Sequence, residues 1–157
     1  MSSPIDRRFV ERWERSPEET AEGRASTELE LNVAFTDSDS TLAALRMAGN
    51  LALDVGARIN LLVAHVVPFQ FPLTRPPVDV AFTEQRLLDL AYKGAQGPLD
   101  TVIHFYLCRD RRQALLQALK PNSLVVIGGR KRWWPTWESK LARMLRGQGH
   151  EVIFVVE

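Results

Sequence analysis

Apolar residues along this chain switch between a two-residue and a helical period, and the switches mark out its elements. Residues 29–36 (LELNVAFT) read as a strand that ends in the polar run Asp37-Ser38-Asp39-Ser40, a source of helix caps. Leu42, Leu45, Ala48, Leu51, Ala52 and Val55 then recur at helical spacing, so 41–55 is predicted as a helix with one buried face, stopped by Gly56. Residues 58–67 (RINLLVAHVV) form a second strand, apolar enough to be buried on both faces. Four prolines make 68–77 a loop. A helix over 83–93, carrying Leu87, Leu88, Leu90 and Ala91, is broken by 94–98, and 100–108 (DTVIHFYLC) is a third strand. The next helix spans 109–119 with Ala114, Leu115, Ala118 and Leu119 inward, and a strand covers 123–127. Pro135 suits the first turn of a helix running to about 146, Gly147 and Gly149 end it, and 151–156 (EVIFVV) is a fifth strand.

Strand and helix alternate throughout. That order predicts an α/β fold: a single open five-stranded parallel sheet with helices on both faces, because right-handed crossovers place them there. Sheets of this kind bind ligands beyond the carboxyl ends of their strands, where the winding reverses. The residues gathered there would be Thr36, Asp37 and Ser38 after strand one and Gly128, Gly129 and Arg130 after strand four. One domain over 29–157 accounts for the pattern. Residues 1–28, rich in Arg, Glu, Ser and Pro, read as a flexible charged arm in which Phe9, Val10 and Trp13 supply one amphipathic turn.

Composition narrows the class. A chain of 157 residues with 45% hydrophobic and 25% charged residues has the balance of a globular domain with a real core. The single cysteine, Cys108, excludes an intrachain disulfide and fits a reducing, cytoplasmic setting. No run approaches the roughly 20 apolar residues of a membrane helix, and the N-terminus carries no secretory apolar segment. Net charge is only +1 but is unevenly spread. Between Arg109 and Arg146, ten cations face only Asp110 and Glu138, so this third of the chain should attract anions.

The most informative stretch is Val125-Val126-Ile127-Gly128-Gly129-Arg130-Lys131-Arg132. An apolar run ending in a glycine pair, then cations and a helix, is how open α/β sheets build phosphate sites. The next six residues break the pattern: Trp133-Trp134-Pro135-Thr136-Trp137-Glu138 stands where small residues would continue such a loop. Trp133, Trp134 and Trp137 read as packing under a shortened loop, a partner-docking patch or a platform for a stacked ligand, and the arginines as forks for phosphate. His65 reads as a hydrogen-bonded structural histidine, and His104 and His150 share no metal spacing with it. Cys108 reads as structural, although Arg109 and Arg111 beside it would draw its pKa down. No Ser–His–Asp set, carboxylate pair or Cys-x-x-Cys stands at catalytic spacing, so no enzyme is predicted.

Val33-Ala34-Phe35-Thr36-Asp37-Ser38 before the first helix, Ala64-His65-Val66-Val67-Pro68 ending strand two, Val125-Val126-Ile127-Gly128, and the closing Val152-Ile153-Phe154-Val155-Val156 occur in that order. Together they resemble the universal stress protein family over about residues 29–157. The resemblance implies a sheet of order 3-2-1-4-5 and a homodimer formed through the last strand, here Val152, Ile153, Phe154, Val155 and Val156. In ATP-binding members a carboxylate ends strand one, adenine packs near the end of strand two, and a loop of glycine, two residues, glycine, nine residues, glycine and Ser or Thr holds the phosphates. Here Thr36 stands at the carboxylate position with Asp37 one residue late, and Val66 or Val67 packs on the base. Gly128 matches the first loop glycine. Lys131 takes the second, or Arg132 if Gly129 is the start. Ser139 matches the terminal Ser, with Lys140 next to it, but Glu138 replaces the glycine before it and the loop is about three residues short.

These features predict a dimeric, universal-stress-protein-like binding and regulatory module in stress response, without an intact ATP site and acting on an unidentified protein partner. The alternative is a sensor binding ATP, another nucleotide or a phosphate ligand between strands one and four. A nucleic-acid binder using the basic third is a further alternative and the least supported. No metal, no required cofactor and no membrane association are expected.

Overall fold

Five strands and four helices alternate in the structure, a computed structural model describing residues 29–72, 80–94, 101–131, 133 and 135–156. The strands are β1 (Glu30–Ala34), β2 (Arg58–Val66), β3 (Thr101–Cys108), β4 (Leu124–Gly129) and β5 (Glu151–Val156). The helices are α1 (Ser38–Val55), α2 (Val80–Gly94), α3 (Arg111–Ala118) and α4 (Trp137–Gly147). All four strand pairings are parallel and the order is β3-β2-β1-β4-β5, as expected. The arm over 1–28 lies outside the described residues.

Each face of the sheet carries its own apolar layer. α1 and α2 close one face, where Leu45, Ala48, Leu87, Leu61 and Phe105 are buried together. α3 and α4 close the other through Leu115, Leu141 and Leu145 against Ile127 and Leu62. Burial on both faces removes most strand side chains from water, at roughly 25 cal/mol per Å² of apolar area.

Several boundaries differ from those the sequence predicts, each for a local reason. α1 begins three residues before the expected 41, because Asp37 rather than a later residue is the cap: its carboxylate accepts a 2.8 Å bond from the Ser40 amide. Its buried face is also turned. Ser40, Thr41, Ala44, Leu45, Ala48, Gly49 and Ala52 are inside, whereas Val55 is exposed and Leu42 and Leu51 are only half-buried. Small residues let the helix axis approach the sheet, so closeness rather than side-chain size sets the face. α2 starts at Val80 instead of 83. α3 starts at Arg111 instead of 109, since the Asp110 carboxylate accepts from the Gln113 amide at 3.3 Å. Pro135 lies just outside α4, whose cap is Thr136, rather than in its first turn. β4 runs two residues past the expected 127, through Gly128 and Gly129, which pair with Val155 and Val156.

The glycine pair is therefore sheet rather than loop, and β5 runs beside β4 to its end. β5 pairs only with β4 among the described residues, leaving its outer edge open.

Candidate functional site

β1 and β4 are adjacent, so their carboxyl tips meet as the sequence suggests. The junction is tight. The Thr36 hydroxyl donates to the Gly128 carbonyl at 3.0 Å, and the Thr36 amide donates to the Thr41 hydroxyl at 3.0 Å. A Cβ on Gly128 would lie 1.9 Å from the Ser40 carbonyl oxygen, so the missing side chain is what lets the start of α1 rest on β4. Gly129 is similarly enclosed, with the Phe154 ring and the Glu138 Cβ against it.

The other residues expected at a phosphate loop are also engaged. Asp37 caps α1, and Asp39 pairs with Arg130 at 3.6 Å. Ser139 lies in the first turn of α4, where its amide donates to the Thr136 hydroxyl at 3.2 Å and its own hydroxyl to the Thr136 carbonyl at 2.9 Å. Lys140, one residue on, is exposed. Val67 is fully buried in the α1–α2 layer, with its amide on the Cys108 carbonyl, and Val66 is exposed. Trp133 is wholly exposed and is not a core residue; Arg132 and Trp134 lie outside the described residues.

Open space lies one strand over, above the tips of β1, β2 and β3 between α2 and α3. A cavity of about 280 Å³ has apolar walls from Val63, Phe105, Leu87 and Leu90. Its polar groups are Thr36, Ser38, Thr83, His65, Arg86 and Arg111, and no carboxylate lines it among the described residues. Thr36 and Ser38 are thus the expected site residues that reach this cavity.

Two features give it anion character. The Arg111 guanidinium stacks 4.7 Å from the centre of the Trp137 ring, which fixes its plane. Its Nε is buried with no hydrogen-bond partner among the described residues. A buried cationic donor left unsatisfied is costly, and an anion in the cavity would relieve that cost. His65 stacks on Phe105, and burial first, then the Arg111 charge, hold its pKa below the usual 6.5. It is neutral near pH 7 and able to donate or accept a hydrogen bond. Asp37 already occupies the positive end of α1, so arginines rather than the helix dipole supply the attraction.

Sequence reasoning misses Arg111 and Arg86 as cavity residues. It gives Arg111 a place in the basic third and an effect on Cys108, and on the second the structure corrects the expectation. Burial outweighs the Arg111 charge and raises the Cys108 thiol to about 11, so it stays protonated. The basic third of the chain also disperses in space. Arg109 donates to the Val67 and Pro68 carbonyls at 3.0 and 2.7 Å, Lys120 pairs with Glu30 at 3.5 Å, and Arg146 donates to the Val152 carbonyl at 3.2 Å. These groups sit at both ends of the sheet.

Comparison with solved structures returns the same architecture. A universal stress protein family structure from Burkholderia pseudomallei is 21% identical with a TM-score of 0.55, over 83% of this chain and 97% of its own. A universal stress protein in complex with cAMP is 22% identical with a TM-score of 0.51, over 83% and 98%. The universal stress protein from Archaeoglobus fulgidus in complex with dAMP is 15% identical with a TM-score of 0.54, over 81% and 97%. No protein-family model matches the chain, and no curated protein does. At these identities the likeness establishes the fold: this chain has the fold of the universal stress proteins. No helix among the described residues is long and apolar enough to cross a membrane.

Proposed function

We propose that this chain is a non-catalytic, universal-stress-protein-like regulatory module that binds a nucleoside monophosphate in the cavity above β1, β2 and β3. The observation that carries this reading is the buried, unsatisfied Arg111 Nε in a cavity with two arginines and, among the described residues, no acid. The apolar wall of Phe105, Leu87 and Leu90 suits a base, and Arg111 with Arg86 suits one phosphate. Two of the structural neighbours are nucleotide complexes, and each holds a ligand with a single phosphate group, cAMP and dAMP. Further phosphates would have to extend toward Gly128 and Gly129, where Ser40, Phe154 and Glu138 fill the space. An ATP cycle is therefore not part of the proposal.

Titration calorimetry with AMP, cAMP, ATP and inorganic phosphate tests it. AMP or cAMP should bind more tightly than ATP, and Arg111→Gln should weaken that binding about tenfold or more, the worth of one charge-assisted bond. Tighter binding of ATP, or unchanged affinity in Arg111→Gln, overturns the reading.

The module acts as a homodimer in this reading, through the open edge of β5, where Val156 is exposed and Val152 to Val155 are half-buried. Val155→Asp should shift sedimentation from dimer to monomer; an unchanged profile removes β5 as the interface.

A further inference from the structure

The opposite, amino-terminal end of the sheet carries a polar cavity that the nucleotide reading does not use. Its floor is one face of three strands. Parallel pairing sets Glu30 beside Arg58 and Asn32 beside Asn60, and His104 lies one row further on β3. These side chains are continuous: His104 Nε2 lies 3.2 Å from Asn60 Oδ1, Asn60 Nδ2 donates to Asn32 Oδ1 at 3.4 Å, and Asn32 Nδ2 donates to the Leu124 carbonyl at 3.1 Å. Asn32 and Asn60 are 7% and 8% exposed, in a sheet whose other buried strand positions are apolar.

The helix above explains why the face is open. α3 has eight residues, so it spans about 12 Å against about 26 Å for the eight residues of β3. It covers the carboxyl half of the face and stops. The remaining space, about 250 Å³, is edged by Ala118 at the end of α3, by Lys120 and Ser123 from the turn after it, and by Arg58 and Glu30, the first residues of β2 and β1. One water occupies roughly 30 Å³, so there is room for a small organic molecule.

Apolar residues at 32 and 60 would be the ordinary solution for a parallel strand. Amides are costly there unless bonded. Each asparagine donates one bond through Nδ2, and its second N–H meets no acceptor among the described residues. Among the described residues the cavity thus offers two amide donors and two cations, Arg58 and Lys120, beside one carboxylate, Glu30, which pairs with Lys120.

We infer that this cavity is a binding site for a small carboxylate of amino-acid size, held by the second amide N–H groups of Asn32 and Asn60 and by Arg58 and Lys120. The site is independent of the nucleotide cavity, since the two lie at opposite ends of the strands and share no lining residue. Glu30 gives an amino acid an advantage over a plain acid, because its ammonium would find a partner there.

Calorimetry and amide NMR on the full chain, with free amino acids, simple mono- and dicarboxylates and inorganic phosphate at millimolar concentration, test the inference. At least one carboxylate should bind and shift the side-chain amide resonances of Asn32 and Asn60. Lys120→Ala and Arg58→Gln, both at the rim, should each weaken that binding about tenfold with the unliganded melting temperature little changed. Arg111→Gln should leave it intact, which separates failure here from failure of the nucleotide reading. Asn60→Leu should abolish it. Absence of binding across the carboxylates, preference for phosphate, or affinity that survives both rim variants overturns the inference.

Discussion

The carboxyl tips of β1 to β3 and the carboxyl tip of β4 belong to one edge of one sheet, yet they are built oppositely. Over β4 the glycine pair lets α1 and Phe154 close in until not even a Cβ would fit at Gly128 or Gly129 without a shift. Over β1 to β3 the walls stand apart around about 280 Å³, and the buried Nε of Arg111 is left without a hydrogen-bond partner among the described residues. The same residue type, glycine, that elsewhere opens backbone to phosphate here brings protein against protein. In the proposed function an anion would be met by arginine side chains rather than by backbone amides.

Gly128→Ala breaks this contrast most forcefully. The new Cβ would stand 1.9 Å from the Ser40 carbonyl, which is helix backbone and cannot rotate away. A destabilisation of about 3 kcal/mol or more is expected, at the upper end for overpacked cores. Gly129→Ala meets the far end of the Phe154 ring at 2.5 Å and should cost less, because that half-buried side chain can swing about its Cα–Cβ bond. Urea unfolding of both variants measures the difference. Equal, small effects would mean that the β4 tip is looser than the packing indicates.

How far this can be read from the sequence depends on whether a residue's role is local. Helix caps are local, and the Asp37 cluster and Asp110 stand out as polar residues before apolar periods. Their exact assignment slips by two or three residues because several polar residues compete for the cap. The glycine pair is visible but reads as a loop, since only the β5 pairing shows that β4 continues through it. Arg111 is unreadable as a ligand group: its position depends on the β3–α3 corner folding back over β2, and on Trp137 arriving from a distant helix. The amide ladder does leave a signal. Glu30 and Asn32, Arg58 and Asn60, and then His104 are polar residues two apart or alternating with apolar ones in three strands, a period-two polar face. The strong apolar content of β2 masks it.

Asp37 sits at the hinge between the sealed and the open half, and its removal sharpens the comparison. Asp37→Ala deletes the bond to the Ser40 amide and should cost about 1 kcal/mol, the usual worth of an N-cap. It also removes a negative charge close to Thr36 and Ser38, which line the cavity. Affinity for a monophosphate should therefore rise while stability falls. Thermal melting and AMP titration of one variant read both signs. A fall in both would tie the cap to the ligand site and erase the distinction between the halves.

The smallest effect is a pH dependence that assigns one histidine to each end of the strands. His65 lines the proposed nucleotide cavity and His104 the amide cavity, and burial is the leading cause that holds each below the usual imidazole value of 6.5. Above that value both rings are neutral whether the chain is folded or not, so stability is level. As pH falls through about 6.5 the unfolded chain takes up protons that the folded one refuses, and stability declines until the folded rings titrate. Both rings are partly exposed, so the decline is modest. Urea midpoints at about pH 7.5 and about pH 5.5 should show it. His65→Gln and His104→Gln should each flatten part of it. Saturating AMP discriminates further: a phosphate beside His65 favours its protonated form, which raises its folded pKa and shrinks its share of the acid loss. The His104 share, at the far end of the strands, should be unmoved by AMP. If AMP shrinks the loss in His65→Gln as fully as in the unaltered chain, the phosphate does not sit beside His65, and the proposed cavity is not where the nucleotide binds.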